Sequence, residues 1–183
     1  MLSLEQQQKS LLRILRGGPE TPETAAIEAD PWLAEVIHSP GLVMVREIAA
    51  WWLRFQIESQ CRFTSRLMKR MGCFEDYLEA HARENPVPQA IEELTRQFLS
   101  SLACYPDPLL RAVSAFELAC LAPPGTHRAS TTIWDRNPNA VLYALSKFAA
   151  IPGPEPDVQY ILTIEPGEPR QVHCTRQTAC IPA

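Results

Sequence analysis

Prolines cut this chain into short pieces. Seventeen of its 183 residues are proline against seven glycines, and most of the prolines stand between segments with a regular apolar period. A proline has no backbone N–H and a φ fixed near −65°, so it fits a turn or the first turn of a helix but not a helix interior or a central strand. Each element must therefore fit between neighbouring prolines. The exception is Leu42 to Met71, which holds neither proline nor glycine. There Val45, Ile48, Trp52 and Phe55, then Phe63, Leu67 and Met71, recur at three- and four-residue steps. The spacing predicts one helix of about 30 residues, the longest in the chain.

Before it, Leu4, Leu11, Leu12, Ile14 and Leu15 followed by Gly17-Gly18-Pro19 predict a helix over 2–16 with a glycine stop. A Thr-, Pro- and Glu-rich stretch over 19–29 leads to Asp30-Pro31-Trp32, which reads as N-cap, first-turn proline and anchoring aromatic of a short helix. After Gly72, a short helix opens at Cys73-Phe74 and ends before Pro86. Ile91, Leu94, Phe98 and Leu102 mark the next helix, over 89–103, and Leu109, Val113, Phe116 and Cys120 mark another that runs to Leu121. Helices with one apolar face and short proline connections predict an antiparallel bundle.

The character changes after Pro123-Pro124-Gly125. Ser130 to Trp134 is β-branched and aromatic, Asn137-Pro138-Asn139 caps a short helix over 140–148, and Val158 to Ile164 is the strongest strand signal in the chain. Pro166-Gly167 suits a type II turn, and Arg170 to Arg176 answers as a second, polar strand. The expected fold is α+β: a helical domain over 1–122, then a small α/β region over 123–183 with an antiparallel sheet of about three strands, one short helix and a hairpin at 158–176. A weakly buried second strand belongs at a sheet edge, where another chain can add as a strand through main-chain hydrogen bonds.

Composition narrows the function classes. Seventeen basic against 21 acidic residues give a net charge of −4, which disfavours a generally basic nucleic-acid binder. The longest apolar run, Ile48 to Leu53, is far short of the roughly 20 residues of a membrane span. The start, Met1 to Gln8, lacks the features of a secretory signal, so a cytoplasmic protein is expected. The six cysteines (Cys61, Cys73, Cys104, Cys120, Cys174 and Cys180) are then expected as free thiols. No cysteine pair has zinc-ribbon spacing and the four histidines lie far apart; His173-Cys174 with Cys180 reads as part of a solvent-facing strand pair, so no metal site is expected.

No phosphate loop, GxSxG elbow, HExxH or paired-carboxylate motif occurs. Glu117, inside Ala115 to Ala119, is the carboxylate expected to be partly buried, and it then requires a partner such as Arg111 or an arginine of the long helix. The polar side of that helix carries Arg46, Arg54, Arg62, Arg66, Lys69 and Arg70 against Glu47 and Glu58, a local charge of +4. Such a run is either a solvated face or, through Arg62, Arg66, Lys69 and Arg70, a docking surface for an acidic partner or peptide.

Several short motifs stand in a recognisable order: Arg62-Phe63-Thr64-Ser65-Arg66-Leu67, Cys73-Phe74-Glu75-Asp76-Tyr77-Leu78, Phe98-Leu99, Leu109 to Ala119, Trp134-Asp135-Arg136-Asn137-Pro138 and the final hairpin. Over about 45–176 this order resembles the partner subunits of multinuclear non-heme iron-dependent oxidases that modify cysteine-containing ribosomal peptides. Within that group the compact length and thiol-rich tail look most like the 3-thiaglutamate branch, in which the oxidase excises the β-carbon of a C-terminal cysteine on a carrier peptide. The family's N-terminal segment is poorly matched by residues 1–40.

The resemblance implies a non-catalytic accessory subunit. Iron would belong to the oxidase, with no cofactor in this chain, and the partners would be that oxidase and a cysteine-containing precursor peptide, with neither nucleic acid nor membrane. Peptide-binding residues would be Tyr160, Leu162, Arg170, Val172, Cys174 and Arg176, along the 170–176 strand or its neighbour 158–164. Two alternatives remain at the level of sequence. One is a thiol-dependent enzyme using Cys174 or Cys180, which requires a depressed thiol pKa. The other is a helical regulator binding nucleic acid through Arg62, Arg66, Lys69 and Arg70.

Overall fold

The computed structural model describes residues 3–15, 30–85, 90–122, 129–165 and 170–178. The turn at Pro166-Gly167, the 19–29 stretch, Pro123-Pro124-Gly125 and Cys180 lie outside them. Residues 1–56 with 75–87 form one compact unit, and 57–74 with 88–183 form another. This division differs from a boundary at 122/123, because helices on both sides of that point belong with the sheet.

The first unit holds α1 (Leu4–Leu15), α2 (Pro31–Ile37), most of α3 (Pro40–Gln60) and most of α5 (Phe74–Glu84). Ser3 and Gln6 cap α1 reciprocally: the Ser3 N–H donates to Gln6 Oε1 at 2.8 Å and the Gln6 N–H to Ser3 Oγ at 3.3 Å. Asp30 caps α2 as the sequence suggests, its Oδ1 accepting from the Trp32 and Leu33 N–H groups with Pro31 in the first turn. The side chains of Gln7 and Arg46 add long-range ties. Gln7 Nε2 donates to Asp30 Oδ2 at 3.1 Å, and Arg46 donates twice to the Ile14 carbonyl, near the end of α1. Ile14, Leu33 and Leu42 form the buried cluster, with Leu11 and Ile37 against it.

The second unit is organised around α7 (Pro108–Cys120), which packs against α4 (Arg62–Met71), α6 (Ile91–Ser101), the 3₁₀ turn Leu102–Cys104 and strand β1 (Ser130–Trp134). Asp107 caps α7 by accepting from the Leu110 N–H at 2.8 Å, and Leu109, Leu110, Ala112, Val113, Ser114 and Glu117 are its buried residues. Helix α8 (Pro138–Lys147), capped by Asn137, connects β1 to β2 (Val158–Glu165), and β3 (Gln171–Thr178) completes an antiparallel sheet in the order β1-β2-β3. The α+β fold expected from the sequence is therefore present: helices followed by a three-stranded C-terminal sheet.

One expectation is corrected. The stretch 42–71 is not a single helix but two, α3 and α4, divided at Cys61, whose φ and ψ are −106° and 59°. In a continuous helix the Phe63 and Thr64 N–H groups would bond the carbonyls four residues back. Here both are taken by the Glu117 carboxylate of α7, at 2.7 and 2.8 Å. The break follows from this competing acceptor, which lies more than 50 positions along the chain and leaves no local sign.

Candidate functional site

The sheet supplies an open edge. Strand β2 is central: β1 pairs with it from Ser130↔Ile164 to Trp134↔Tyr160, and β3 from Val158↔Thr178 to Glu165↔Gln171. The neighbour strand 158–164 is therefore corrected as a peptide edge, because its main-chain groups already serve two ladders. Strand β3 has no further strand beside it among the described residues, and all eight of its residues are exposed.

Register decides which side chains share a face. Directly paired residues project to the same side of a sheet, and the pairs are Tyr160↔Arg176, Leu162↔Cys174 and Ile164↔Val172. The structure thus brings Tyr160, Leu162, Val172, Cys174 and Arg176 onto one face. Their burial differs sharply, with Leu162 1% and Tyr160 6% exposed but Val172 51%. The face is covered over β2 and open over β3. Tyr160 and Leu162 therefore sit in the core, whereas Val172, Cys174 and Arg176 offer surface.

Two anchors hold this edge in place. Arg170 donates to the Ala119 carbonyl at 3.1 Å and also to the Cys120 and Ala122 carbonyls, so it satisfies the C-terminal end of α7, where a cation is favoured. Glu155 joins two sheet residues: Tyr160 Oη donates to its Oε1 at 2.7 Å and Arg176 Nη2 lies 3.4 Å from its Oε2. The accepting carboxylate raises the Tyr160 pKa. Sequence reasoning missed Glu155, which lies in a proline-rich connection with no motif to mark it.

The basic residues of α4 are less available than their pattern suggests. Arg66 Nη1 donates to the Leu145 and Ser146 carbonyls at 2.9 and 3.0 Å, and its guanidinium lies 4.3 Å from the Phe148 ring centroid. Arg70 donates to the Ala149 carbonyl at 2.6 Å. Both therefore close the C-terminal end of α8, where Phe148 takes the left-handed conformation at φ 57°. Lys69 pairs with Glu58 at 2.7 Å. Arg62 is exposed and borders a depression of about 420 Å³ with Glu58, Ser59, Ser65, Arg66, Lys69 and Phe148. Burial lowers the Arg66 pKa, and the neighbouring Arg62 and Arg70 charges lower it further.

Among the described residues Glu117 is not paired with an arginine, contrary to expectation. Its two oxygens accept the Phe63 and Thr64 N–H groups at the start of α4, where the helix dipole favours an anion. The Thr64 hydroxyl is near the carboxylate but outside hydrogen-bonding geometry. Burial raises the Glu117 pKa against these bonds. Burial and then Glu117 push the Cys61 thiol up, and burial raises Cys174 as well. A thiol raised in this way is a poor nucleophile at neutral pH.

Among the described residues no group of three or more His, Cys, Asp or Glu side chains is placed to hold a metal ion, and no helix is long and apolar enough to cross a membrane. No family model matches the chain, and no curated protein and no solved structure matches it.

Proposed function

We propose that this chain is a non-catalytic partner of an iron-dependent peptide-modifying oxidase, which binds the precursor peptide by strand addition along β3 and presents its cysteine for oxidative modification. The observation that carries this reading is the edge strand itself: all eight residues of β3 are exposed, beside a central strand that is firmly paired. Main-chain groups at that edge bind any extended segment, and Val172, Cys174 and Arg176 provide the side-chain relief that selects among segments. Exposed Arg62 adds a contact for an acidic part of the peptide or its oxidase.

In this reading iron belongs to the oxidase, and the product follows the 3-thiaglutamate branch. A thiol-dependent enzyme is less well supported, because the Cys174 thiol moves away from the thiolate range. Nucleic-acid binding through α4 is less well supported too, since Arg66, Arg70 and Lys69 already have partners.

Proline substitution tests the edge. Of two consecutive residues in an edge strand, one directs its N–H to the free side and the other to the ladder. Val172→Pro and His173→Pro, compared by circular dichroism and by the anisotropy of a labelled cysteine-containing precursor peptide, should therefore diverge. One variant should keep the fold and bind about tenfold more weakly. Unchanged affinity in a folded variant of each kind would exclude β3 as the recognition edge.

A further inference from the structure

Helix α3 is apolar on two sides. Leu42 and Leu53 are buried, whereas Met44, Ile48, Trp51 and Phe55 along another side are 64, 58, 61 and 53% exposed. Trp51 and Phe55 stack on each other there, with ring centroids 5.6 Å apart. A second apolar face, separate from the one turned to the core, marks a surface for a partner. Aromatic side chains carry ~150–250 Å² each, so with Trp52 these rings leave roughly 300 Å² open. The aliphatic neighbours carry the patch into or beyond the ~300–600 Å² that is the largest on a typical monomer.

We propose that this face binds the same face of a second copy of the chain, with the two α3 helices antiparallel across a two-fold axis. The seam is self-complementary. Its residues follow 4-3-4 steps, and an axis between Ala49 and Ala50 sets Met44 against the partner's Phe55 and Ile48 against the partner's Trp51. Each layer then joins a slender side chain to a ring, and the two-fold axis repeats both layers. On one flank Val45 and Trp52 meet their counterparts. On the other, Glu47 meets the partner's Arg54 and Arg54 the partner's Glu47, so unlike charges coincide twice.

A parallel pair would set Met44 on Met44 and Trp51 on Trp51, and would bring Glu47 toward Trp52 with no charge partner. Arg54 already donates through Nε to Glu75 at 2.9 Å, and its five donors serve a second carboxylate as well. Covering both copies' patches removes on the order of 1,000 Å², the lower bound for a specific interface.

This inference is independent of the peptide-binding reading. Sedimentation equilibrium of the full chain, from micromolar to near-millimolar concentration, should show the mass rising from 20.6 kDa to twice that value. Trp51→Glu should weaken association by about thirtyfold or more while helix content is unchanged, since the ring is exposed. Glu47→Arg and Arg54→Glu should each weaken it, and the double variant should restore it. A mass of 20.6 kDa at every concentration would overturn the proposal, as would a dimer indifferent to Trp51→Glu. A double variant no better than either single one would overturn the antiparallel register.

Discussion

Helices α3 and α4 follow each other in the chain and are held in opposite ways. Helix α4 is rich in arginine and lysine, yet Thr64, Ser65, Leu67 and Met68 are buried, and it is fixed at both ends: Glu117 takes its first free N–H groups and Gly72, at φ 70°, closes it in the left-handed conformation. Among the described residues helix α3 carries most of the large exposed apolar side chains before the sheet, and leaves a full face of them open between Met44 and Phe55. Composition alone would assign the two the other way round. What decides is the supply of partners: a polar helix becomes structural where a buried carboxylate and facing carbonyls meet it, and an apolar helix stays open where nothing in its own unit covers a second side.

The largest test of that contrast is Glu117→Ala. It takes the Glu117 acceptor from two N–H groups, one buried and one part-buried, and opens a small cavity, and should destabilise the protein by about 3 kcal/mol in urea denaturation. A loss below about 1 kcal/mol would mean that the cap does not hold α4. Next in size, Arg66→Ala removes two bonds to the end of α8 and the contact with Phe148, and should cost about 1 kcal/mol after allowance for its exposure. Arg66→Lys should recover only part of this, because an ammonium lacks the planar fork.

The smallest effect separates the two units by pH. In the first, burial lowers the pKa of His81, so the neutral ring's contribution is present above its ordinary value and is lost as pH falls through the depressed one. In the second, Glu117 is raised, so its contribution is full below the ordinary carboxyl value and is lost as pH rises through the folded one. Stability curves of His81→Gln and Glu117→Gln should therefore diverge from wild type at opposite ends: the first loses less on acidification, and the gap to the second is widest in acid. Parallel curves would remove titration from both accounts.

Local signals were legible in the sequence. Asp30-Pro31 and Asn137-Pro138 each mark a helix start that the structure keeps, because cap and first-turn proline act within four residues. The strands at 130–134 and 158–164 were legible from β-branched composition, and the polar edge strand from its contrast with its neighbour. The break at Cys61 and the engagement of Arg66 and Arg70 with α8 were not. Both depend on acceptors more than 50 positions away, and no window of local sequence contains the competitor that wins. Of the candidate peptide edge, the strand could be read, but not that Tyr160 and Leu162 lie in the core and that Glu155 bridges Tyr160 to Arg176.

The Glu117 bridge also sets an order of events. A ribosome extends the chain from its N-terminus, so residues 42–71 emerge well before Glu117 exists. During that interval Phe63 and Thr64 have only the carbonyls behind them to bond, and a single continuous helix is the favoured local state. The division into two helices is written later, when α7 arrives and draws those two N–H groups away. The shape of the early chain is thus revised by a residue made afterwards, and a nascent chain halted before Glu117 should carry one long helix where the finished protein carries two.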